Sequence, residues 1–191
     1  MIDHDQIAKT VTAYLERHPD EAHRLAPLIA ALTQPGDLAS RKTFTGHVTC
    51  SAIIVDSQQR VLHIRHNALQ TWLRPGGHLE TTDTNLPEAA LREVTEETAI
   101  PTALLSLLDD VPIDIDTHPI PANPAKDEPD HQHFDLRYAL TLADDDIAVT
   151  LQDEEVHDFA WLPLKSVEPT TLSDKIAELI ASTHFEDSPS A

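Results

Sequence analysis

Apolar positions follow helical spacing at both ends of the chain and strand spacing in its middle. Ile7, Val11 and Tyr14 fall on one face of a first helix, and Pro19 is predicted to begin a second helix that ends before Pro35-Gly36. Runs of β-branched or alternating apolar residues predict strands at 47–55, 60–65, 111–115, 133–142 and 156–162. A last amphipathic helix is expected at 172–182.

The order of these elements predicts the fold class. Strands alternate with a few helices, without regular strand–helix–strand units, which favours an α/β (α+β) sandwich with a mixed sheet between helices. We divide the chain into an N-terminal helical extension (1–38), a main domain (39–168), and a C-terminal helix with a loose tail (169–191). The extension is interpreted as a helical hairpin packed on the main domain, with a dimerisation element or a lid as alternatives.

Charge restricts the partners of the protein. The 191 residues carry a net charge of −20, which argues against nucleic acid and anionic membrane as partners. A phosphate substrate would therefore need a bound metal and local arginines.

The single cysteine, Cys50, excludes an internal disulfide and is interpreted as a small buried hydrophobe. The N-terminus lacks the pattern of a signal peptide, so we expect a soluble cytoplasmic protein.

The most informative segment runs from Gly77 to Ile100, after a Pro-Gly-Gly turn. Its core is the sequence Arg-Glu-Val-Thr-Glu-Glu at residues 92–97. On a helix, Glu93 and Glu97 lie about 40° apart, and Glu96 lies about 60° to the other side of Glu93. Three carboxylates on one narrow arc repel one another unless solvent separates them or a cation neutralises them. The arc thus predicts either a solvated acidic face or a magnesium site.

This segment resembles the Nudix box, a glycine followed at fixed spacing by a glutamate and then by Arg-Glu-apolar-x-Glu-Glu-x-Gly-apolar. The matching positions are Gly77, Arg92, Glu93, Val94, Glu96, Glu97 and Ile100. Three departures are visible: Asp83 replaces the first Glu, the spacing from there to Arg92 is one residue longer, and Ala99 replaces the final Gly. The resemblance covers about residues 44–164 and implies an α/β/α sandwich with the box as a loop–helix–loop.

The resemblance also implies a metal centre and an activity. Glu93, Glu96 and Glu97 would bind Mg²⁺, with Mn²⁺ as a substitute; Arg92 would orient them, and the Gly77 carbonyl would be a further ligand. The implied enzyme is a Nudix pyrophosphohydrolase that cleaves the diphosphate of a nucleoside diphosphate linked to another moiety, by water attack at phosphorus. Substrate candidates are nucleoside triphosphates, dinucleoside polyphosphates and nucleotide sugars. A homodimer would be compatible with the family.

Two other functions stay open on the same fold. One is a non-catalytic module that senses a nucleotide and regulates a partner. The other is an isomerase acting on an isoprenoid diphosphate, which would need a catalytic cysteine, and Cys50 is the single candidate. The three glutamates of the box argue against the sensor, because a sensor has no need of a metal cage.

Further site candidates lie outside the core of the box. Arg65 and Arg74 are candidates for phosphate contacts, with solvent-exposed arginine as the alternative. Strand alternation places His131, His133, Asp135 and Arg137 on one face, and His133 and Asp135 are predicted to bind substrate. A zinc site from His131 and His133 lacks clear companion ligands in the sequence. Candidates for an additional base or ligand are Glu80, Asp83, Glu154 and Glu155. The proline-rich stretch 118–130 is predicted to be a loop that shapes the binding site.

Overall fold

The computed structural model describes residues 1–67, 70–143, 147, 149–151 and 156–186, with side chains described as far as residue 182. The helices in this part are α1 (His4–Arg17), α2 (Ala26–Leu32), α3 (Leu86–Thr98) and α4 (Thr170–Glu186). The strands are β1 (His47–Val55), β2 (Arg60–His66), β3 (Trp72–Leu73), β4 (Gly76–His78), β5 (Leu105–Leu107), β6 (Asp114–Ile120), β7 (His131–Leu142) and β8 (Val156–Pro163).

The strands of the described residues form one eight-stranded mixed sheet, with the central order β3-β2-β1-β7-β5. β1 and β7 run parallel along nine residue pairs, from His47 beside His133 to Val55 beside Thr141. The other pairings are antiparallel, and they add β4 to β1, β6 to β7 and β8 to β2. The predicted mixed sheet between helices is therefore confirmed.

Alternation along β1 directs its side chains to the two faces of the sheet. Val48, Cys50, Ala52 and Ile54 enter the main core, which also contains residues of α1 and α3. Ile53 and Val55 pack in a second core with Leu172 and Ile176 of α4. The first half of the second face is polar instead, because β1 places His47, Thr49 and Ser51 there. This polar half adjoins β4 and β7 and provides the floor of the site described below.

The N-terminal helices are present, but the second begins later than predicted. Pro19–His23 forms a short 3-10 helix, and α2 starts at Ala26 with Pro27 in its first turn. Proline at this position lacks an N–H and would clash with the preceding helical turn, so it begins a new helix and does not extend the earlier one. Arg24, between the two, donates to the Ile115 carbonyl and so covers part of the β6 edge.

Strand β6 corrects two boundaries. It begins at Asp114 and extends to Ile120, so the predicted strand at 111–115 is displaced and the first residues of the predicted loop at 118–130 are strand. Pro119 is tolerated because β6 lies at the sheet edge, where a missing N–H breaks no ladder. Within the described residues, no helix is both long enough and apolar enough to cross a bilayer.

Candidate active site

Helix α3 carries the acidic arc and is fixed at its start by local sequence. Asn85 caps it by accepting a hydrogen bond from the Glu88 N–H at 2.9 Å, and Pro87 lies in the first turn. Val94 and Thr98 are fully buried on the side that packs against β1. This anchoring leaves the arc of Glu93 and Glu96 on the opposite side of the helix.

Arg92 gathers the acidic groups of the box. Its Nη1 donates to Glu93 at 2.9 Å and to Glu96 at 3.0 Å, and its Nε and Nη2 donate to both oxygens of Asp83 at 3.0 and 3.2 Å. Nη2 also donates to the His78 carbonyl at 2.9 Å, which ties the helix to the turn before it. Burial alone would lower the pKa of Arg92, but Asp83 and Glu93 outweigh it and raise the pKa, so the guanidinium stays charged.

The Gly76-Gly77 turn fits closely against the carboxylates of α3. The Gly76 N–H donates to Glu97 at 2.9 Å, and Glu97 is only 4% exposed. A Cβ on Gly77 would lie 2.7 Å from a carboxylate oxygen of Glu93, and one on Gly76 would lie 2.6 Å from the Cα of Ser51. Gly76 therefore requires glycine for close approach to the backbone of β1, whereas a side chain at Gly77 would displace the Glu93 carboxylate. The turn and the helix bring Glu93, Glu97 and the backbone of Gly77 into one place.

The variant position of the box, Asp83, is built into this arrangement. Asp83 is buried, and besides the fork from Arg92 its carboxylate accepts the Glu80 N–H at 2.7 Å. The shorter side chain is thus placed to hold Arg92 and the turn at 80–83, which favours a positioning role over a metal ligand. The Glu80 side chain is exposed and accepts a long hydrogen bond from Thr82 at 3.4 Å. Glu154 and Glu155 lie outside the described residues.

Asp135 and Arg137 organise the polar floor on β7. Asp135 accepts hydrogen bonds from Ser51 at 2.9 Å and from Arg137 at 3.0 Å. Arg137 also donates to Asp114 at 3.0 Å and to Asp116 at 2.9 Å, both on β6. A hydrogen bond from His118, against the opposing effect of burial and with help from Arg137, lowers the pKa of Asp116 to about 2. Asp135 therefore acts first as a structural partner within this floor.

Arg65 and Arg74 each bury an unused donor. The Nε atoms of both side chains are buried without a hydrogen-bond partner in the part of the chain that the structure describes. Burial lowers the pKa of Arg74, and the neighbouring charge of Arg137 lowers it further. Buried guanidinium donors without a partner are unfavourable unless an anion or water completes them. The phosphate contacts expected of these two arginines stay a prediction.

Five histidines cluster at the end of the floor: His47, His78, His118, His131 and His133. Their rings contact one another with centroid separations of 4.7–5.7 Å. Burial, and then repulsion from Arg41 and from neighbouring histidines, lowers the pKa of His78 to about 4. Burial and repulsion from the neighbouring histidines lower the pKa of His133 to about 3. The sequence interpretation missed His47 and His78 as companions of His131 and His133. The alternation in β1 places His47 on the right face, but only the strand register brings it beside His133.

Cys50 does not have the environment of a catalytic thiol. Its side chain is fully buried, as predicted, and burial raises its pKa well above the ordinary value. A nucleophilic cysteine needs a lowered pKa and some access. This arrangement argues against the isomerase alternative.

Comparison with known proteins decides the family. The sequence model of the NUDIX domain matches residues 45–182. The chain belongs to the NUDIX domain family. The family resemblance drawn from the box at 77–100 is thereby confirmed.

Individual relatives of this Nudix protein have also been found. It is similar to the probable DHNTP pyrophosphohydrolase of Lactococcus lactis subsp. cremoris (strain MG1363), with 33% identity over 92 residues, 48% of this chain and 52% of the relative. The match thus spans about half the length of this curated relative.

Two solved structures share the Nudix fold. One is a Caenorhabditis elegans Ap4A hydrolase binary complex, with a TM-score of 0.54 and 20% identity over 71% of this chain and 98% of the other. The second is the Escherichia coli dihydroneopterin triphosphate pyrophosphohydrolase, with a TM-score of 0.53 and 19% identity over 71% and 95% of the two chains. At these identities the likeness concerns the fold.

Proposed function

We propose that this Nudix protein is a magnesium-dependent pyrophosphohydrolase that cleaves a diphosphate linkage by water attack at phosphorus. The observation that carries the proposal is the joint arrangement of Arg92, the carboxylates of α3 and the Gly76-Gly77 turn. An ordinary solvated helix face would not need a buried glutamate against a glycine turn. A second structural feature, the buried donors of Arg65 and Arg74, supports an anionic substrate.

The donor set fits a hard divalent cation. Glu93, Glu96, Glu97 and the Gly77 carbonyl offer oxygen atoms, which Mg²⁺ prefers, and Mn²⁺ accepts the same ligands. A Cβ on Gly77 would lie 2.7 Å from a carboxylate oxygen of Glu93, so the turn lies directly against this carboxylate, which supports a site shared by the turn and α3. When bound, Mg²⁺ would neutralise phosphate charge and lower the pKa of the attacking water.

The residues of the chain have distinct parts in this proposal. Arg92 holds Glu93 and Glu96 in a fixed position, because one guanidinium nitrogen donates to both. Asp83 in turn fixes Arg92 by a two-point contact. Arg65 and Arg74 would donate to the phosphates of the substrate and so lower the barrier that a chain of charge −20 presents to an anion. His133, at the end of the same polar floor, would contact the substrate.

The substrate class is a nucleotide-like organic polyphosphate. The names of the relatives above, an Ap4A hydrolase and two dihydroneopterin triphosphate pyrophosphohydrolases, support a heterocyclic group attached to a chain of two or more phosphates. Nucleoside triphosphates, dinucleoside polyphosphates, dihydroneopterin triphosphate and nucleotide sugars therefore form the panel to be tested. A homodimer and a cytoplasmic location stay predictions.

The test is phosphate or pyrophosphate release from this panel with Mg²⁺, with Mn²⁺ and with chelator. We expect turnover that requires the cation and that falls about 100-fold or more in Glu97→Gln, since that change removes a charged oxygen from the site without changing its shape. Glu16→Gln, on the exposed side of α1, is the matched control and should keep full activity. Unchanged turnover in Glu97→Gln would refute the site. Nucleotide binding without turnover on any substrate would favour the sensing module.

A further inference from the structure

Three histidine rings converge from three strands beside the box. His47 comes from β1, His78 from β4 and His133 from β7. Each offers one ring nitrogen, and these three nitrogens all lie within 4.8 Å of one another. The parallel register of β1 and β7 sets His47 opposite His133, and the pairing of β4 with β1 brings His78 to the same end. The convergence is therefore a product of the central sheet and not of one loop.

The buried ring of His47 directs an unused lone pair into this cluster. His47 is only 1% exposed, and its Nδ1 lies 3.4 Å from the Thr43 carbonyl. A carbonyl can only accept, so Nδ1 carries the proton and Nε2 keeps its lone pair. Nε2 is buried and has no hydrogen-bond partner among the described residues. A buried acceptor of this kind calls for a donor or a cation.

His131 fixes the tautomer of the third ring, His133. The Nδ1 of His131 lies 2.8 Å from the Pro129 carbonyl, so its proton is on that side and its Nε2 is an acceptor. The Nε2–H of His133 therefore donates to this Nε2 at 3.2 Å, which leaves the lone pair of His133 on its Nδ1. Metals bind the neutral form of imidazole, in which one ring nitrogen keeps its lone pair.

We propose that His47, His78 and His133 form a binding site for a transition-metal dication of the zinc class, separate from the carboxylate centre of α3. Imidazole nitrogen suits Zn²⁺, Co²⁺, Ni²⁺ and Cu²⁺, whereas Mg²⁺ prefers the oxygen ligands of the box. Tetrahedral Zn²⁺ with bonds of about 2.0–2.1 Å needs nitrogens roughly 3.3 Å apart, which small ring rotations would reach. The Thr43 carbonyl supplies the outer contact that fixes the His47 tautomer.

The location connects this site to the polar floor. His78 directly follows Gly77, and its carbonyl accepts a hydrogen bond from Arg92 at 2.9 Å. His78 and His133 are half-buried, so solvent reaches the cluster from one side. Three protein ligands leave one coordination position open, and water or an anionic group would fill it. Arg41, the nearby cation, is paired with Glu128 at 3.2 Å, which limits its repulsion of a metal.

The test is a titration of tag-free, chelator-treated protein with Co²⁺ or Zn²⁺, followed by calorimetry and, for Co²⁺, by its visible absorption. We expect one equivalent to bind, with nitrogen-type Co²⁺ bands that excess Mg²⁺ does not remove. His78→Gln and His133→Gln should each weaken binding about 100-fold or more. His23→Gln, on an exposed turn, is the matched control and should bind as the natural chain does. Circular dichroism of each variant verifies that it is folded.

Glu97→Gln separates this proposal from the proposed hydrolase function. Co²⁺ binding that survives in Glu97→Gln and is lost in His133→Gln supports a distinct histidine site, whatever the turnover assays show. Binding that is lost in Glu97→Gln and kept in His133→Gln would place the cation in the box and overturn the inference. The inference also fails if the natural chain binds neither Co²⁺ nor Zn²⁺ stoichiometrically, or if folded His78→Gln and His133→Gln bind as tightly as it does.

Discussion

Arg92 and Arg137 are each hydrogen-bonded to three carboxylates in the described part of the chain, but they lie in different surroundings. The side chain of Arg92 is 19% exposed, and one of its partners, Glu96, is 48% exposed. The side chain of Arg137 is 9% exposed, and Asp114 beside it is 7% exposed. The Arg92 group is thus open to solvent mainly at Glu96, since Asp83 beside the same arginine is only 4% exposed, whereas Arg137 itself lies inside the fold.

Under the proposed function, the exposure of Glu96 distinguishes the Arg92 group from a purely structural one. Carboxylates near solvent can exchange an arginine contact for a cation at small cost, since water screens the intermediate arrangement. Buried carboxylates that lose their arginine keep an uncompensated charge in a poorly solvated place. We therefore expect the Arg92 group to govern activity and the Arg137 group to govern stability. Four measurements test this contrast.

The largest effect is expected from Arg137→Leu. The substitution leaves Asp114, Asp116 and Asp135 without their shared cation, and removing one partner of a buried ion pair costs about 3–5 kcal/mol in the free energy of unfolding. Urea unfolding of the variant and the natural chain measures the difference.

The matched control for this change is Arg17→Leu. Arg17 pairs with Asp109 at 2.6 Å, but its side chain is 51% exposed, so the loss should stay below about 1 kcal/mol. Equal losses at the two positions would show that burial does not distinguish these ion pairs, and the contrast drawn here would be wrong.

The next effect is on turnover, and it uses the exchange Arg92→Lys. A lysine keeps the charge but lacks the fork that reaches Asp83, Glu93 and Glu96 together. We expect kcat to fall about 10- to 100-fold with little change in KM, because the ligands lose their fixed orientation.

Urea unfolding of Arg92→Lys completes that measurement. The unfolding free energy should fall by less than in Arg137→Lys, where the same exchange is made in the buried group. A kcat that stays unchanged, or a larger loss of stability at Arg92 than at Arg137, would contradict the assignment of roles. Only the kcat measurement depends on the proposed hydrolase activity; the comparison of unfolding free energies does not.

Low pH should weaken the ion-pair network around Arg137, because it protonates Glu21. Lys175 binds both Asp114 and Glu21, at 3.0 and 2.6 Å, so the network continues from Arg137 to the N-terminal extension. Burial opposes ionisation of Glu21, but hydrogen bonds from Lys175, Tyr14 and Arg24 prevail and lower its pKa to about 2. Because the folded pKa is below the unfolded value, this stability is present above about pH 4.5 and is lost as the pH falls towards 2.

Urea unfolding at about pH 6 and about pH 3 measures that loss. For the two pKa values, the contribution of Glu21 should decrease by about 2 kcal/mol between these conditions. Glu21→Gln should show a correspondingly smaller pH dependence, whereas Glu16→Gln should keep that of the natural chain. Identical pH dependence in Glu21→Gln and the natural chain would mean that this carboxylate titrates alike in the folded and unfolded states.

The two arginine groups also show how far sequence reasoning extends. Two partners of Arg92, Glu93 and Glu96, lie on its own helix, so the box pattern predicts them from one segment, whereas its contact with Asp83 was not predicted. The partners of Arg137 on β6 depend on the register between β6 and β7, which local alternation does not encode. The same reason explains why His47 and His78 were missed. The mixed sheet between helices follows from local patterns and was predicted correctly.

The smallest effect concerns the end of the helix that carries Arg92. Ala99, where the box pattern has glycine, ends α3 in the left-handed conformation with φ 54°. A Cβ costs about 1–2 kcal/mol in that conformation, and the greater freedom of unfolded glycine offsets part of the gain, so Ala99→Gly should stabilise the fold by about 0.5–1 kcal/mol. Ala181→Gly, the same exchange at an exposed position inside α4, should instead destabilise by about 1 kcal/mol. Thermal unfolding of both variants measures the sign, and a loss of stability in Ala99→Gly would mean that the alanine is not strained there. If Ala99→Gly is more stable but turns over substrate at the same rate, the strained conformation of Ala99 does not affect the contacts of Arg92. That result would explain why the box tolerates alanine at this position.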